Sequence, residues 1–373
     1  MTNRVAGRLA AVGFVALSMA LAASPAHAAP GDKIANSYIC VFKNDRVAKA
    51  DVASKANAAA RANGGSVGHV YANTIRGFSA NISEQGMTAM RRSNPNIAYC
   101  EQDQEMAAAV VAQAAPGGVT AQAQSVPWGI IRVGGGTTGS TSKAWVIDSG
   151  VDLDHPDLNV NTALSKSFTR EKTADDGNGH GTHVAGTIGA KNNTVGVVGV
   201  VPGVAIVGVK VLTRSGSGSN SGVIAGVDYA AANFAAGDVA NMSLGGGFSS
   251  ALNNAVIAAA AKGLKFALAA GNESTSATTK SPASAEGNNI YTISSFAQGD
   301  NWSSFSNYGN PPVDFAEPGS AIPSTYKDGG YATLSGTSMA SPHMAGLLLL
   351  GTPRSGGTVN GDPDGKPDTI GIR

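Results

Sequence analysis

The sequence has little charge and little cysteine. Asp, Glu, Lys and Arg make up 14% of its 373 residues, against about 25% in an average globular protein, and the formal net charge is +1. We therefore expect neither a nucleic acid nor a membrane surface as a partner, because both favour strongly basic chains. The only two cysteines are Cys40 and Cys100, so the chain after residue 100 contains no thiol nucleophile. A disulfide and two buried thiols are both open interpretations.

The sequence also lacks an apolar run long enough to cross a membrane. The candidate run, residues 9–23, is shorter than the ~20 residues that a spanning helix needs. Arg4 and Arg8 precede it, and Ala26 and Ala28 follow it as at a secretory cleavage site. We predict that residues 1–28 are a signal peptide and that the chain is secreted, or periplasmic if the host has an outer membrane. A membrane anchor is the alternative.

Glycine is abundant instead, with 49 residues, close to twice the usual share of ~7%. This indicates many tight turns and close backbone approaches, as in a compact secreted enzyme. We divide the chain after the signal peptide into a small domain at 29–105, a connector at 106–122 and a large domain at 123–373. The connector contains no charged residue and is rich in Ala, Gln and Gly, which predicts a flexible, cleavable segment.

The small domain is predicted to be α+β. Helices suit residues 46–62 and 83–92, and apolar runs indicate strands at 38–42, 67–71, 78–82 and 97–100. The order β-α-β-β-α-β is the ferredoxin-like pattern, in which the first and last strands are neighbours. That pairing would bring Cys40 close to Cys100.

The large domain is predicted to have an α/β fold, a doubly wound and mostly parallel sheet flanked by helices. Continuous apolar strands are expected at 144–147, 205–211, 239–244 and 264–270, and helices near 180–190, 221–236, 249–262 and from residue 338. Ligands of such sheets collect at the carboxyl ends of the strands. Asp148 and Asn272 follow two of these strands, and His180 and Ser338 begin two helices.

Three separated segments carry candidate chemistry: AWVIDSGVDLDHPDL (144–158), DGNGHGTHVAGT (176–187) and LSGTSMASPHMAG (334–346). A serine hydroxyl needs a neighbouring imidazole as base, and the imidazole needs a carboxylate to fix its tautomer. Asp148, His180 and Ser338 can supply these groups, and the order Asp, His, Ser is that of subtilisins. The chain resembles the subtilisin-like (subtilase) serine proteases, in particular the secreted relatives of subtilisin and proteinase K.

Rival residues accompany two members of this set. Asp152, Asp154 and Asp157 are also acidic, but only Asp148 comes directly at a strand end. His183 could form a zinc site with His180, since imidazole is the commonest metal ligand. The Glu of an HExxH motif is missing, so we prefer a structural role for His183.

The resemblance implies a role for each residue of the set. Ser338 is the nucleophile, His180 the general base and Asp148 the residue that orients it. The side chain of Asn272 and the backbone N–H of Ser338 form the oxyanion hole. No catalytic cofactor is implied, the substrates are polypeptides, and the enzyme is expected to be a monomer.

The resemblance extends to the small domain. The segments SYICVFK, GFSANIS and IAYCEQD resemble the inhibitory propeptide of secreted subtilisin relatives, and AQSVPWGI (123–130) resembles their mature N-terminus. This implies a zymogen that is inhibited by its own propeptide and cleaves itself near Ala123. A protease-like binding module that stays blocked by the propeptide is the alternative function.

Two glycine-rich segments resemble the edges between which subtilases hold an extended peptide. Strand addition uses backbone hydrogen bonds and tolerates many sequences. A roomy glycine-walled pocket implies broad specificity with an apolar or aromatic preference. The predicted substrate-binding residues are Ser243, Leu244, Gly245, Gly216, Ser217 and Gly218.

The resemblance also implies a structural calcium site and leaves the number of calcium ions open. The site's set of one carboxylate with amide and carbonyl oxygens suits a hard cation. The predicted ligands are Gln124, Asp157, Asn193, Val195 and Val197. A second acidic cluster, Asp362, Asp364 and Asp368, is instead expected to lie in a solvated tail. The resemblance fades in residues 350–373, which show little helix or strand signal.

Overall fold

The computed structural model describes residues 1–2, 29–113 and 123–373 of the chain. Most of the predicted signal peptide and the second half of the predicted connector lie outside the described residues. Within the described residues, no helix is both long and apolar enough to cross a membrane.

The N-terminal unit, residues 29–108, is an antiparallel sheet covered on one face by two helices. Its helices are α1 (Val52–Ala62) and α2 (Glu84–Ser93), after a 3-10 turn at Lys49–Asp51. Its strands are β1 (Lys33–Phe42), β2 (Ser66–Tyr71), β3 (Gly77–Asn81) and β4 (Ile97–Ala108). Their spatial order is β4-β1-β3-β2, so the predicted ferredoxin-like order is confirmed and β1 lies beside β4.

The alternation of side chains in β1 explains how this unit packs on both faces. Cys40 and Phe42 point to the unit's own helices and pack in one apolar cluster with residues of α1 and α2. Ile39 and Val41 point to the opposite face and join the main core of the rest of the chain. Cys40 pairs with Cys100 of β4 in the sheet register, and the two form a disulfide. The open choice between a disulfide and two thiols is thereby resolved.

The C-terminal unit, residues 123–373, alternates strands with helices. Its helices are α3 (Trp128–Arg132), α4 (His180–Gly189), α5 (Asn220–Asn233), α6 (Ser250–Ala260) and α7 (Thr337–Leu350), with a 3-10 turn at Ala277–Thr279. A short β5 (Ala112–Gln113) precedes the unit. Its own strands are β6 (Lys143–Asp148), β7 (Asn159–Val160), β8 (Lys166–Ser167), β9 (Ala205–Lys210), β10 (Ser217–Ser219), β11 (Val239–Met242), β12 (Leu244–Gly247), β13 (Lys265–Ala269), β14 (Lys280–Ser281), β15 (Ile290–Ala297), β16 (Asn301–Trp302), β17 (Val313–Pro318), β18 (Ile322–Tyr326), β19 (Gly330–Ser335), β20 (Arg354–Thr358) and β21 (Thr369–Ile372).

The main sheet is mostly parallel and has helices on both faces. Its order is β20-β21-β17-β15-β13-β11-β6-β9-β7, with β16 beside β15 and β8 beside β9. Trp145 and Ile147 of β6 pack on one side with α5 and α6, and Ala144 and Val146 pack on the other with α4 and α7. Because both faces are covered, the central strands read as continuous apolar runs. This confirms the predicted doubly wound α/β architecture.

The C-terminal tail is a β-hairpin and not the irregular segment that the sequence predicted. β21 extends the main sheet in parallel with β17, and β20 folds back on β21. Ile370 is fully buried there, and Asp368 is 1% exposed. The expectation of a solvated acidic tail is wrong for Asp368, which accepts hydrogen bonds from Ser294 Oγ and Asn310 Nδ2. Polar side chains from distant parts of the chain satisfy its carboxylate, which local sequence does not reveal.

The last strand of the N-terminal unit is longer than predicted. The apolar run predicted a strand at 97–100, whereas β4 continues to Ala108, into the segment expected to be an irregular connector. Its second half leaves the N-terminal unit and pairs with β10 and β12 of the C-terminal unit. The neighbours that stabilise this half come from residues more than one hundred positions away.

Candidate active site

Asp148 is the last residue of β6 and is fully buried. Its Oδ1 accepts a hydrogen bond from the backbone N–H of Ser149 at 2.6 Å. The carbonyl of Ser149 in turn accepts one from the buried Nζ of Lys210 at 2.5 Å. These contacts hold the carboxylate at the carboxyl end of a central parallel strand, where the fold places ligands.

His180 is the first residue of α4, and Gly179 before it makes this position possible. Gly179 has φ 107°, and a Cβ there would lie 2.3 Å from the ring of Tyr326, so only glycine fits. The buried carboxylate of Asp176 accepts hydrogen bonds from the backbone N–H groups of Gly179 and Thr182 at 2.9 Å each. The Asp176 carboxylate accepts from N–H groups that have no partner within the helix. It therefore fixes the backbone from which the His180 side chain extends.

The imidazole of His180 and the carboxylate of Asp148 form a buried pair. Nδ1 of His180 lies 2.7 Å from Oδ1 of Asp148. Burial of the imidazole opposes protonation, but the adjacent Asp148 carboxylate outweighs it and raises the pKa of His180 above its ordinary value. Nε2 of His180 is buried and has no hydrogen-bond partner among the described residues. With Nδ1–H donated to Asp148, this nitrogen is free to accept a proton.

Ser338 is the second residue of α7 and is fully buried. Its Oγ donates to the carbonyl of Ser243 at 2.9 Å, and Ser243 Oγ donates back to the carbonyl of Ser338 at 2.7 Å. Its backbone N–H points to the carbonyl oxygen of Ala109 at 3.3 Å. Gly336 precedes the helix, and a Cβ there would lie 2.4 Å from that same oxygen. Ser338 is therefore covered by the chain that continues from β4.

Asn272 follows β13 and lies beside the start of α7. Its Oδ1 accepts from the backbone N–H of Thr337 at 2.8 Å and from the Thr337 hydroxyl at 2.9 Å. This fixes the amide with its Nδ2 on the other side. That Nδ2 is buried and has no hydrogen-bond partner among the described residues. It lies 3.2 Å from the ideal Cβ position of Gly336, next to the Ala109 carbonyl.

The second half of β4 lies between the two predicted substrate edges. It runs antiparallel to β10 on one side and to β12 on the other. Ala107 pairs with Ser217 and with Gly245, and Ala108 pairs with Leu244. All six predicted substrate-binding residues contact this segment in the register or by a backbone hydrogen bond, including Gly216 and Ser243. A three-stranded arrangement of this kind is how an extended peptide binds by strand addition.

A cavity of about 220 Å³ opens beside Ala109. Its walls include Gly245, Gly246, the segment 269–273 and Lys280, whose Nζ is 3.3 Å from Oε1 of Glu273. The methyl side chain of Ala109 would fill little of this space. The volume of the cavity leaves room for a larger side chain, and its lining includes the ion pair of Lys280 and Glu273.

His183 does not take part in this arrangement. Its Nε2 donates to two carbonyl oxygens, those of Ile322 at 2.9 Å and Ala332 at 3.1 Å. Burial lowers the pKa of His183 to about 3, so the ring stays neutral and ties α4 to β18 and β19. These contacts favour the predicted structural role over the zinc alternative. Nε2 must carry a proton to donate to the two carbonyl oxygens, and a protonated nitrogen cannot bind a metal.

The predicted calcium ligands converge around the side chain of Gln124. Its Nε2 lies 2.9 Å from the Lys191 carbonyl, 3.2 Å from Oδ1 of Asn193 and 3.5 Å from the Val195 carbonyl. The buried carboxylate of Asp157 lies beside them and accepts hydrogen bonds from Asn193 Nδ2 and the Val197 N–H. The described residues contain no group of three or more acidic, His or Cys side chains suited to a metal. A cation here would depend on neutral oxygens and one carboxylate.

Sequence reasoning missed several residues that hold this site. Asp176 organises the start of α4, Lys210 holds Ser149, and the segment 107–111 covers Ser338. Asp176 stands four residues before His180 in an Asx-rich loop, a usable capping signal. The small uncharged residues 107–109 carried no signal beyond their composition.

Comparison with known proteins decides the family. The model of the subtilase family of peptidases matches residues 139–353. The chain belongs to the subtilase family. The predicted resemblance and the prediction of a subtilase-type serine protease are therefore confirmed.

Individual relatives of this subtilase are similar over much of its length. It is 42% identical to an alkaline serine exoprotease A of Vibrio alginolyticus over 75% of this chain, but the match spans only 52% of that protein. It is 36% identical to proteinase R of Parengyodontium album over 87% of this chain and 81% of that protein. The structure of a cold adapted subtilisin-like serine proteinase matches with a TM-score of 0.55 and 43% identity over 61% of this chain and 87% of that chain.

Proposed function

We propose that this subtilase is a secreted serine endopeptidase of broad specificity, made as a zymogen that processes itself. The observation that carries the proposal is the buried pair of His180 and Asp148, in which Nε2 of His180 has no hydrogen-bond partner among the described residues. His180 lies at the start of α4, which packs against α7, the helix that begins beside Ser338. Polypeptides are the proposed substrate class because the groove between β10 and β12 pairs with an extended backbone on both of its edges.

In the proposed reaction, Ser338 attacks the carbonyl carbon of the bond to be cut. Its hydroxyl donates to the Ser243 carbonyl in the covered site and must turn to Nε2 of His180, which takes the proton. Asp148 keeps the imidazole in the required tautomer and stabilises the imidazolium that forms. His180 then donates that proton to the leaving amine, and water hydrolyses the acyl-enzyme by the same route in reverse.

The oxyanion of the tetrahedral intermediate is assigned two donors. One is the backbone N–H of Ser338, which benefits from the positive end of α7. The other is the buried Nδ2 of Asn272, whose amide is fixed because its Oδ1 accepts two hydrogen bonds from Thr337. A preorganised donor of this kind stabilises the transition state by about 3 kcal/mol.

The proposed inhibitory role of the N-terminal unit is supported by two acids at its contact with the C-terminal unit, the buried Asp103 and the partly buried Glu101. Asp103 accepts from the N–H and hydroxyl of Ser221 at the start of α5. Glu101 accepts from Ser249 and from the N–H of Ala251 at the start of α6. Carboxylates at helix N-termini are favoured by the helix dipole. Each contact ties β4 to the start of a helix of the C-terminal unit.

Export is proposed from the pattern of residues 1–28 together with the Cys40–Cys100 disulfide. Disulfides persist in oxidising compartments outside the cytosol. We propose no catalytic cofactor and a monomeric enzyme, since each residue of the proposed reaction comes from one chain.

Calcium is proposed as a structural ion at the Gln124 site. The oxygens of Lys191, Asn193 and Val195 surround one point, and the buried Asp157 supplies negative charge beside it. These donors fit a hard cation, with the Gln124 amide turned so that its oxygen joins them. When bound, calcium would tie the loop at 191–197 to the residues around Gln124.

The test of the proposed function is Ser338→Ala in the full chain, compared with wild type. We expect the variant to stay full length and to release no fragments from casein, while wild type converts to a shorter form and degrades casein. Equal conversion and degradation by the variant would refute the proposal.

The second candidate, a binding module that remains blocked, is favoured by the buried contacts of Asp103 and the partly buried contacts of Glu101. It predicts that the cut N-terminal fragment co-purifies with the C-terminal unit and that dilution restores no turnover. Recovery of peptidase activity on dilution would exclude it.

A further inference from the structure

We infer that the first self-cleavage occurs between Ala109 and Val110, upstream of the site near Ala123 that the sequence predicted. This inference rests on the peptidase activity proposed above. It names the peptide bond that the chain presents to its own Ser338, and it means that residues 110–122 remain on the enzyme after that cut.

The register of β4 leads to Ala109. The strand is paired on both sides up to Ala108, whose N–H then donates to the carbonyl of Gly216 at 3.0 Å. The N–H of Ala109 donates to the carbonyl of Ser243 at 3.2 Å. Because pairing on two edges fixes the register, a shift by one residue would break the whole set.

The carbonyl of Ala109 lies where the oxyanion would form. Its oxygen accepts from the N–H of Ser338 at 3.3 Å. The unpartnered Nδ2 of Asn272 lies near this oxygen, since an ideal Cβ on Gly336 would be 2.4 Å from the oxygen and 3.2 Å from Nδ2. The missing side chain of Gly336 leaves room for this oxygen. No other carbonyl of the described residues accepts from the N–H of Ser338.

The chain is also held after the bond. The N–H of Val111 donates to the carbonyl of Ser335 at 3.0 Å, and β5 pairs antiparallel with β19. The backbone is thus fixed on both sides of the Ala109–Val110 bond. Holding a bond in this way supplies the positioning that bond cleavage requires.

Ala123 is held in a different place. It pairs with Val195, and the backbone N–H groups of Gln124 and Ser125 donate to the carbonyls of Thr194 and Gly196. Within the described part of the chain, the backbone hydrogen bonds of 123–125 all go to this loop. The bond before Ala123 is therefore not offered to Ser338 while β4 fills the groove.

The proposed step balances as follows. Ser338 Oγ bonds to the carbonyl carbon of Ala109 as its proton passes to Nε2 of His180. The bond from that carbon to the nitrogen of Val110 breaks, and the proton passes to this nitrogen. Water then adds to the acyl carbon, its proton returns through His180 to Ser338, and the products are a carboxylate on Ala109 and an amine on Val110.

The direct test is the intact mass of the earliest fragments from freshly made full chain. We expect an N-terminal fragment that ends at Ala109 and a partner that begins at Val110. Later trimming of residues 110–122 shortens the partner only and leaves the first fragment unchanged. An earliest N-terminal fragment that extends past Val111, such as one that ends just before Ala123, would overturn the inference.

A matched pair of proline variants tests the same bond. Val110→Pro removes the scissile N–H and puts a ring on the leaving nitrogen, so we expect cleavage there to slow by at least about 100-fold. Val110 is 36% exposed, which leaves room for the ring. Ala123→Pro is the control, since the N–H of Ala123 makes no backbone hydrogen bond within the described residues. We expect it to be cut after Ala109 at the wild-type rate.

The outcomes separate this inference from the proposed function. If wild type is cut elsewhere and Ser338→Ala is not cut, the peptidase holds and the assigned bond is wrong. If Ser338→Ala is cut like wild type, the proposed function fails. If Val110→Pro melts at a lower temperature than Ser338→Ala, the substitution has disturbed the fold. The fragment masses of wild type then decide which bond is cut first.

Discussion

Asp103 offers a quantitative test of how the N-terminal unit is held on the enzyme. Its side chain is 1% exposed, and its oxygens accept from the N–H of Ser221 at 3.0 Å and from the Ser221 hydroxyl at 2.5 Å. Ser221 lies in the first turn of α5, where backbone N–H groups lack partners in the helix. We predict that Asp103→Ala weakens the complex of the cut N-terminal unit with the enzyme.

The size of the effect follows from these two contacts. Hydrogen bonds to a charged group contribute about 1.5–3 kcal/mol each, and the helix dipole adds about 0.3–1 kcal/mol. Water replaces part of this when the units separate, so we take a net loss of about 3 kcal/mol. At about 1.4 kcal/mol per tenfold change, the dissociation constant should rise roughly 100-fold.

The assay is recovery of peptidase activity when the self-cut complex is diluted. The Asp103→Ala complex should reach half of its full activity at a concentration roughly 100-fold higher than wild type. Asp45→Ala is the matched control, since the Asp45 side chain lies in the same unit and is 74% exposed. Equal recovery curves for Asp103→Ala and wild type, with equal melting temperatures of the uncut Ser338→Ala forms, would refute the reasoning.

Three further predictions concern the reaction and the proposed ion. Asp148→Asn should lower kcat by about 10⁴-fold through the wrong tautomer of His180. Because a neutral His180 is the base, activity should be lost as pH falls through its raised pKa, and stopped-flow pH profiles of Asp148→Asn should show the acid limb moved to lower pH. Asn272→Ala should lower kcat by about 10²–10³-fold with little change in KM, and a large KM change with normal kcat would contradict its role. Calcium should raise the melting temperature of uncut Ser338→Ala, and adding Asp157→Asn should abolish that shift, whereas an unchanged shift would place the ion elsewhere.

The sequence was sufficient where local pattern and site coincide. The positions of three site residues were predicted from local pattern: Asp148 follows an apolar strand, and His180 and Ser338 lie at the starts of helices. The prediction works because parallel strands bring their carboxyl ends to one edge of the sheet. The β-α-β-β-α-β order also predicted that β1 and β4 are neighbours, which the structure has.

Long-range partners explain what was not predicted. The end of β4 is a run of alanines whose strand conformation depends on β10 and β12. The tail hairpin depends in the same way on β17 and on the polar partners of Asp368. Glycine and proline in 350–373 predicted loops correctly at the turn, but not the edge strand that Ile370 anchors.

The most direct test of the central claim is labelling of the self-cut wild-type chain with a fluorophosphonate, followed by peptide mapping. The account predicts one label per chain, on Ser338, with activity lost in proportion to labelling and no label on His180→Ala. A label on another serine, or full activity in a chain fully labelled at Ser338, would contradict it.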